Sequence, residues 1–226
     1  MAVIEGGTST TQAEVGIANG DAALFNNAKP VPFGALGHYR LAAVTGTMAA
    51  ALAAAAQFFT FRWTDATRLC IIQEVNVTFL PLTLFTAASL SDFGWDMFKA
   101  TAVSAGGGGT ALTSFTKMRP TMGASLLGAT DVRISTTAAL TALTTLDTNA
   151  IAMGIGARQR VNPAAATEEQ LNPLPYLNFK PDQGAGQYPL VLGQNEGFVL
   201  RNRVVWPAAG TGVLKVEMSW CEVANY

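Results

Sequence analysis

One histidine, two cysteines and fifteen acidic residues are the raw material for chemistry in this 226-residue chain. The histidine, His38, sits in "GALGHYRLA", so any Ser-His-Asp or Cys-His relay must run through it. Catalysis needs convergent partners, and its neighbours Tyr39 and Arg40 do not supply a nucleophile and its base; a structural or surface histidine is expected. One histidine and two distant cysteines, Cys70 and Cys221, cannot assemble a Cys/His zinc cluster. Both cysteines fall in strand-like runs and are expected as buried free thiols; a single bridge between strands stays open, because sequence does not give their separation.

The carboxylates are equally sparse in pattern. The adjacent pair Glu168-Glu169 lies in "AAATEEQLNP", and neighbours in sequence are poorly placed to flank a glycosidic bond as acid and nucleophile. Asp92 and Asp96 flank Gly94 without the D-x-D-x-D-G spacing of a calcium loop, so no metal is expected there. "GGGG" at 106–109 is followed by no Lys-Ser or Lys-Thr and reads as a flexible hairpin tip, not a phosphate loop. No catalytic, metal or cofactor residue is assigned and no enzyme is expected; a hydrolase using scattered carboxylates is the residual alternative. Of the indoles, Trp63 and Trp220 sit in apolar register and belong to the core. Trp95 in "SDFGWDMF" and Trp206 beside Pro207 fall at strand ends, where they can contact a protein or a sugar.

The elements that must position these residues are strands. "FFTFRWTD" at 58–65 alternates Phe59, Phe61 and Trp63 with Thr60, Arg62 and Thr64. "RLCIIQEVNVTFL" places Leu69, Ile71, Val75, Val77 and Phe79 on one side, with Glu74, Asn76 and Thr78 on the other. "HYRLAAV", "PLTLFTAASL", "WDMFKATAV", "TSFTKMRPT", "DVRIST" and "AIAMGIGARQRV" give further strands. The alanines after Thr45 and Thr47 suit a short capped helix or a small-residue strand. At the chain's end, "GFVLRNRVVWPAAGTGVLKVEMSWCEV" reads as a hairpin. Pairing Trp206 with Leu214 puts both apolar sets on one face and Arg203 opposite Glu217.

Many short strands punctuated by Gly and Pro indicate a sandwich or barrel. The expected fold is all-β: one antiparallel β-sandwich, jelly-roll-like, over residues 38–226, preceded by an extended arm at 1–37 and carrying a long Pro-rich loop at 162–195. Pro30 and Pro32 in the arm, and Pro173, Pro175 and Tyr176 in the loop, join Trp95 and Trp206 as candidate partner contacts.

Half the residues are hydrophobic and only 13% charged, against roughly 25% in ordinary soluble domains. Such a surface suits a molecule covered by neighbours. The balance of 14 basic and 15 acidic residues, net −1, gives no field toward nucleic acid or anionic lipid, and neither partner is expected. "MAAALAAAAQFF" falls short of the ~20 residues a bilayer requires. The N-terminus lacks a secretory pattern, which suggests a chain made in the cytosol.

The arm ending in "GHYRLAAVTGTMAAALAA", the aromatic "FFTFRWTD" with "RLCIIQEVNV", and the C-terminal "YPLVLGQNEGFVLRNRVVWPAAGTGVLKVEMSWCEV" resemble virion structural proteins of tailed bacteriophages. The resemblance implies a non-enzymatic capsid-associated decoration or cement protein, assembled in the host cytoplasm and stabilising the shell. Its partners would be its own copies, with a trimer as first expectation, and the major capsid protein. The resemblance carries no catalytic residue and no cofactor. The alternative is a carbohydrate-binding or host-adhesion module, motivated by Trp95 and Trp206.

Overall fold

In the computed structural model the described residues are 15–18, 21–24, 37–83, 91–92, 94–103, 106–143, 145–153, 158–159, 177–178 and 189–224. The chain divides into two units, residues 1–30 and 31–226. Within the first, β1 (Val15–Ala18) pairs antiparallel with β2 (Asp21–Leu24). A reading of residues 1–37 as an arm without regular elements misses this hairpin, because four-residue strands are too short to display a period.

The described part of the second unit contains no helix and two antiparallel sheets. One sheet runs in the order β11 (Leu146–Met153), β7 (Trp95–Ala100), β15 (Gly197–Asn202), β4 (Gln57–Arg62), β10 (Val132–Ile134) and β8 (Thr110–Ala111). The other runs β13 (Leu177–Asn178), β5 (Leu69–Thr83), β16 (Thr211–Val223), β3 (Gly37–Val44) and β9 (Thr116–Lys117), with β14 (Leu190–Leu192) also paired to β5. A separate ladder joins β6 (Ser91–Asp92) to β12 (Arg158–Gln159).

Both sheets feed one core, which makes the pair a sandwich. Phe59, Phe61, Met97, Phe198 and Leu200 from the first meet Tyr39, Val77, Phe79, Met218 and Trp220 from the second. Phe61 stacks on Phe198 at 5.4 Å within its sheet and meets Trp220 edge-on at 5.7 Å across the interface. Aromatic contacts of this kind add to the burial of apolar area, which supplies the main driving force.

The terminal hairpin expected from residues 197–223 is not formed. β15 pairs with β4 and β7, and β16 with β3 and β5, so the two strands lie in different sheets, joined by an arch over residues 203–210. Alternation says only that each strand buries one face, and two facing sheets satisfy that as well as two adjacent strands do. Eight residues including Pro207 are no two-residue hairpin turn. Arg203 therefore pairs with Asp96, Nη2 to Oδ1 at 2.7 Å, and Glu217 with Lys215 at 2.6 Å.

A second correction lies in β5. Ser219 is opposite Glu74 and Trp220 opposite Ile72, so Gln73 is an extra residue that bulges the strand. The bulge reverses the phase. Cys70 and Ile72 face the main core with Val75 and Val77, while Ile71 packs on the other side with Cys221 and Val223.

The alanine stretch forms neither helix nor strand. The Thr45 hydroxyl accepts the Leu214 N–H at 3.0 Å instead of capping a helix, and Ala51 and Ala55 take positive φ of 57° and 62°. The four glycines are not a hairpin tip either. They belong to the connection from β7 to β8, which have three strands between them in the sheet order, and Gly107 O accepts the Thr141 N–H at 3.0 Å. A Cβ on Gly109 would stand 2.2 Å from the Ile134 carbonyl oxygen, so the close passage requires glycine.

Candidate functional site

The chemistry-bearing residues are engaged in structure. His38 is half-buried, and burial, followed by the Arg40 charge, lowers its pKa. Register sets it opposite Cys221, a Cys-His juxtaposition that sequence spacing did not reveal. Cys221 is fully buried, and burial together with the nearby Glu222 pushes its thiol up to about 12, so it is no thiolate nucleophile at neutral pH. Cys70, raised for the same reasons, lies opposite Glu222; both cysteines are free.

Glu222 itself is a buried anchor. Its carboxylate accepts Ser125 Oγ–H at 2.5 Å, the Leu126 N–H at 3.1 Å and the Trp220 Nε1–H at 3.3 Å. With the Tyr39 hydroxyl donating to Gly123 O at 3.2 Å, it ties residues 123–126 to the second sheet. Burial raises the Glu222 pKa, partly offset by those hydrogen bonds.

Asp131 plays the corresponding part beside the first sheet. It pairs with Arg62 Nε at 3.2 Å and accepts from Thr64 Oγ and Gly128 N, each at 2.6 Å. Asp96 is held by Arg203, and the side chain of Asp92 lies outside the described residues. No group of three or more His, Cys, Asp or Glu side chains suited to a metal occurs among the described residues.

Trp95 and Trp206, the two candidates for a partner contact, are each only 2% exposed. Phe79 packs against both, at 4.9 Å and 5.6 Å, and Trp206 Nε1–H donates to Asn202 Oδ1 at 2.8 Å. The arch folds Trp206 under itself, so a strand-end indole becomes core. Pro30, Pro32, Pro173, Pro175, Tyr176 and the Glu168-Glu169 pair lie outside the described residues.

What the described residues do offer is a sheet face. The outer side of the first sheet is covered over its central strands: Phe98, Ala100 and Val199 pack against Val103 and Leu143, and the Gln57 amide exchanges two 3.1 Å hydrogen bonds with the Leu143 backbone. The outer side of the second sheet is closed at one end, where Ile71, Cys221 and Val223 are buried together, and open beyond it, from Arg40 and Glu74 to Val44 and Leu80. Across β3, β16 and β5 its successive rows are Arg40-Ser219-Glu74, Ala42-Glu217-Asn76 and Val44-Lys215-Thr78, and Val213 beside Leu80 follows. The charged end holds a shallow depression of about 310 Å³ lined by Arg40, Glu74, Asn76, Thr116 and Glu217. Arg40 Nη2 lies 3.8 Å from Glu74 Oε2, whose carboxylate also accepts Asn76 Nδ2–H at 2.6 Å.

The other end is apolar. Val44, Leu80 and Leu82 are 53%, 50% and 48% exposed, and Val205 in the neighbouring arch is 60% exposed. Sequence reasoning missed these residues although the signal was present. Leu80 and Leu82 continue the phase of Glu74, Asn76 and Thr78, so an apolar pair stands where polar residues belong. Compared with known proteins, the chain matches no family model, no curated protein and no solved structure.

Proposed function

We propose that the chain is a non-enzymatic virion structural protein, a capsid-associated decoration or cement protein that acts by binding its own copies and neighbouring shell subunits. The observation that carries this reading is the inequality of the two sheets: the central strands of one are covered on both faces, and the other leaves part of a face, with exposed Val44, Leu80 and Leu82, open to a partner. The low charge of the chain agrees with a surface meant to be covered.

The finer, jelly-roll-like description of the sandwich is supported by strand order. β3, β4, β5 and β7 alternate between the sheets, and the last two strands insert among them, β16 between β3 and β5 and β15 between β4 and β7. Viral capsid and lectin domains share such double-sheet architectures, a fold-level analogy that serves both readings. The carbohydrate-binding alternative loses its motive, because Trp95 and Trp206 are inside the core.

Gradient fractionation of the native producing cell tests the proposal. The chain should band with intact particles that contain a shell protein, and be released from them by mild denaturant without loss of its own fold. A chain found only in the soluble fractions, never with particles, overturns it.

A further inference from the structure

The open face can be assigned an occupant, an inference that rests on the reading of the chain as a self-associating structural protein. We propose that this face docks a second copy of the chain about a two-fold axis running along β16.

Charge placement selects that axis. Arg40 on β3 and Glu74 on β5 stand at one level, both opposite Ser219 of the central strand. A two-fold along β16 exchanges the β3 and β5 columns, so Arg40 of each copy meets Glu74 of the other. The same operation lays the apolar end, with Val44 and Leu80, on the apolar end of the other copy. An axis across the strands would instead press the charged end onto the apolar end and desolvate the Arg40–Glu74 and Lys215–Glu217 pairs against apolar side chains.

The central column is compatible with this arrangement. Lys215 is already neutralised by Glu217 at 2.6 Å. Aligned sheets pack at about 30°, so the two β16 strands cross at one place. With the crossing at Ser219, the level at which Arg40 and Glu74 change partners, the lysines of the two copies, four residues along β16, diverge.

Area sets the strength. Strands about 4.8 Å apart with same-face residues about 6.8 Å from one another, three on β3 and five on each of β16 and β5, present roughly 420 Å² per copy. The total of roughly 850 Å² lies below the about 1,000 Å² of a stable specific interface, so the dimer is weak and reversible. A two-fold pair also replaces the trimer expected from the resemblance.

Sedimentation equilibrium on the full chain over a wide concentration range provides the test. The parent protein should show a reversible monomer–dimer equilibrium, and Leu80→Asp should be monomeric with an unchanged thermal midpoint and circular dichroism spectrum. Arg40→Glu and Glu74→Arg should each weaken self-association at least tenfold, whereas an equimolar mixture of the two variants should form heterodimers. Mixing cannot restore a contact internal to one chain. A dimer that persists in Leu80→Asp, variants that fail to recover on mixing, or a trimer would each overturn the two-fold while leaving the structural-protein reading standing. A parent protein that is monomeric alone, yet binds shell particles through Leu80, would do the same. A monomer that also never bands with particles would overturn both.

Discussion

The two sheets of the sandwich bury comparable inner faces and differ on their outer ones. In the first sheet β4 is buried from Gln57 through Phe61, with Thr60 and Gln57 covered by the chain that crosses above. In the second, β3 alternates, with Tyr39, Leu41 and Ala43 inside and Arg40, Ala42 and Val44 in solvent. The contrast separates two uses of polar residues. Those over the first sheet complete buried hydrogen bonds and ion pairs, and those on the second remain available to a partner.

The largest effect should follow from breaking the closed side. Asp131→Ala leaves Arg62 without its carboxylate and strips the acceptor from Thr64 and Gly128, with an expected loss of about 3–5 kcal/mol in urea denaturation. Gln57→Ala should cost less, about 1–3 kcal/mol, because it leaves the Leu143 N–H and C=O unpaired in a buried site. Hydrogen exchange should then quicken around Leu143 before it does in the inner strands. If both variants match the parent, the covered face contributes nothing to stability and the contrast between the sheets fails.

Glu222→Gln sharpens the comparison at the buried end of β16. A carboxyl whose folded pKa is raised contributes stability that is fully present below its unfolded pKa and is lost as pH rises through the folded value. Glutamine keeps an acceptor for Ser125, Leu126 and Trp220 and removes the charge. Its thermal midpoint should exceed the parent's by a few degrees at neutral and alkaline pH and converge with it in acid, as followed by thermal melts across pH. The smallest stability effect belongs to the open face: Leu80→Ala should change unfolding free energy by no more than about 0.5 kcal/mol. A larger loss would mean that Leu80 serves the fold.

The inner faces of the strands were legible in the residues, and the division between their outer faces was not. The alternation in "FFTFRWTD" marks the inner face of β4 but reads as a half-buried strand, and the burial of Gln57, Phe58 and Thr60 on its other side comes from chain that crosses above and was not legible. Phe59, Phe61, Trp63, Val216, Met218 and Trp220 are core as their phase requires. Two further things were hidden. A bulge such as that at Gln73 is a tertiary decision, because the partner strand determines which residue is left over. The partner of each terminal strand was hidden too, because alternation is silent on whether the apolar face meets a neighbour in the same sheet or in the opposite one. Trp206 was misread for the second reason: an indole at the end of a hairpin is exposed, and the same indole inside an arch is enclosed.

The placement of β15 and β16 has a kinetic consequence. Each is a central strand of its sheet, yet together they are drawn from the last 30 residues of the chain. During synthesis β3 and β5, and likewise β4 and β7, must wait as unjoined edges until the C-terminal segment emerges between them. Contacts so distant in sequence slow folding and leave strand edges exposed meanwhile. Truncation at the C-terminus should therefore remove the middle of both sheets at once and yield aggregate in place of a smaller sandwich.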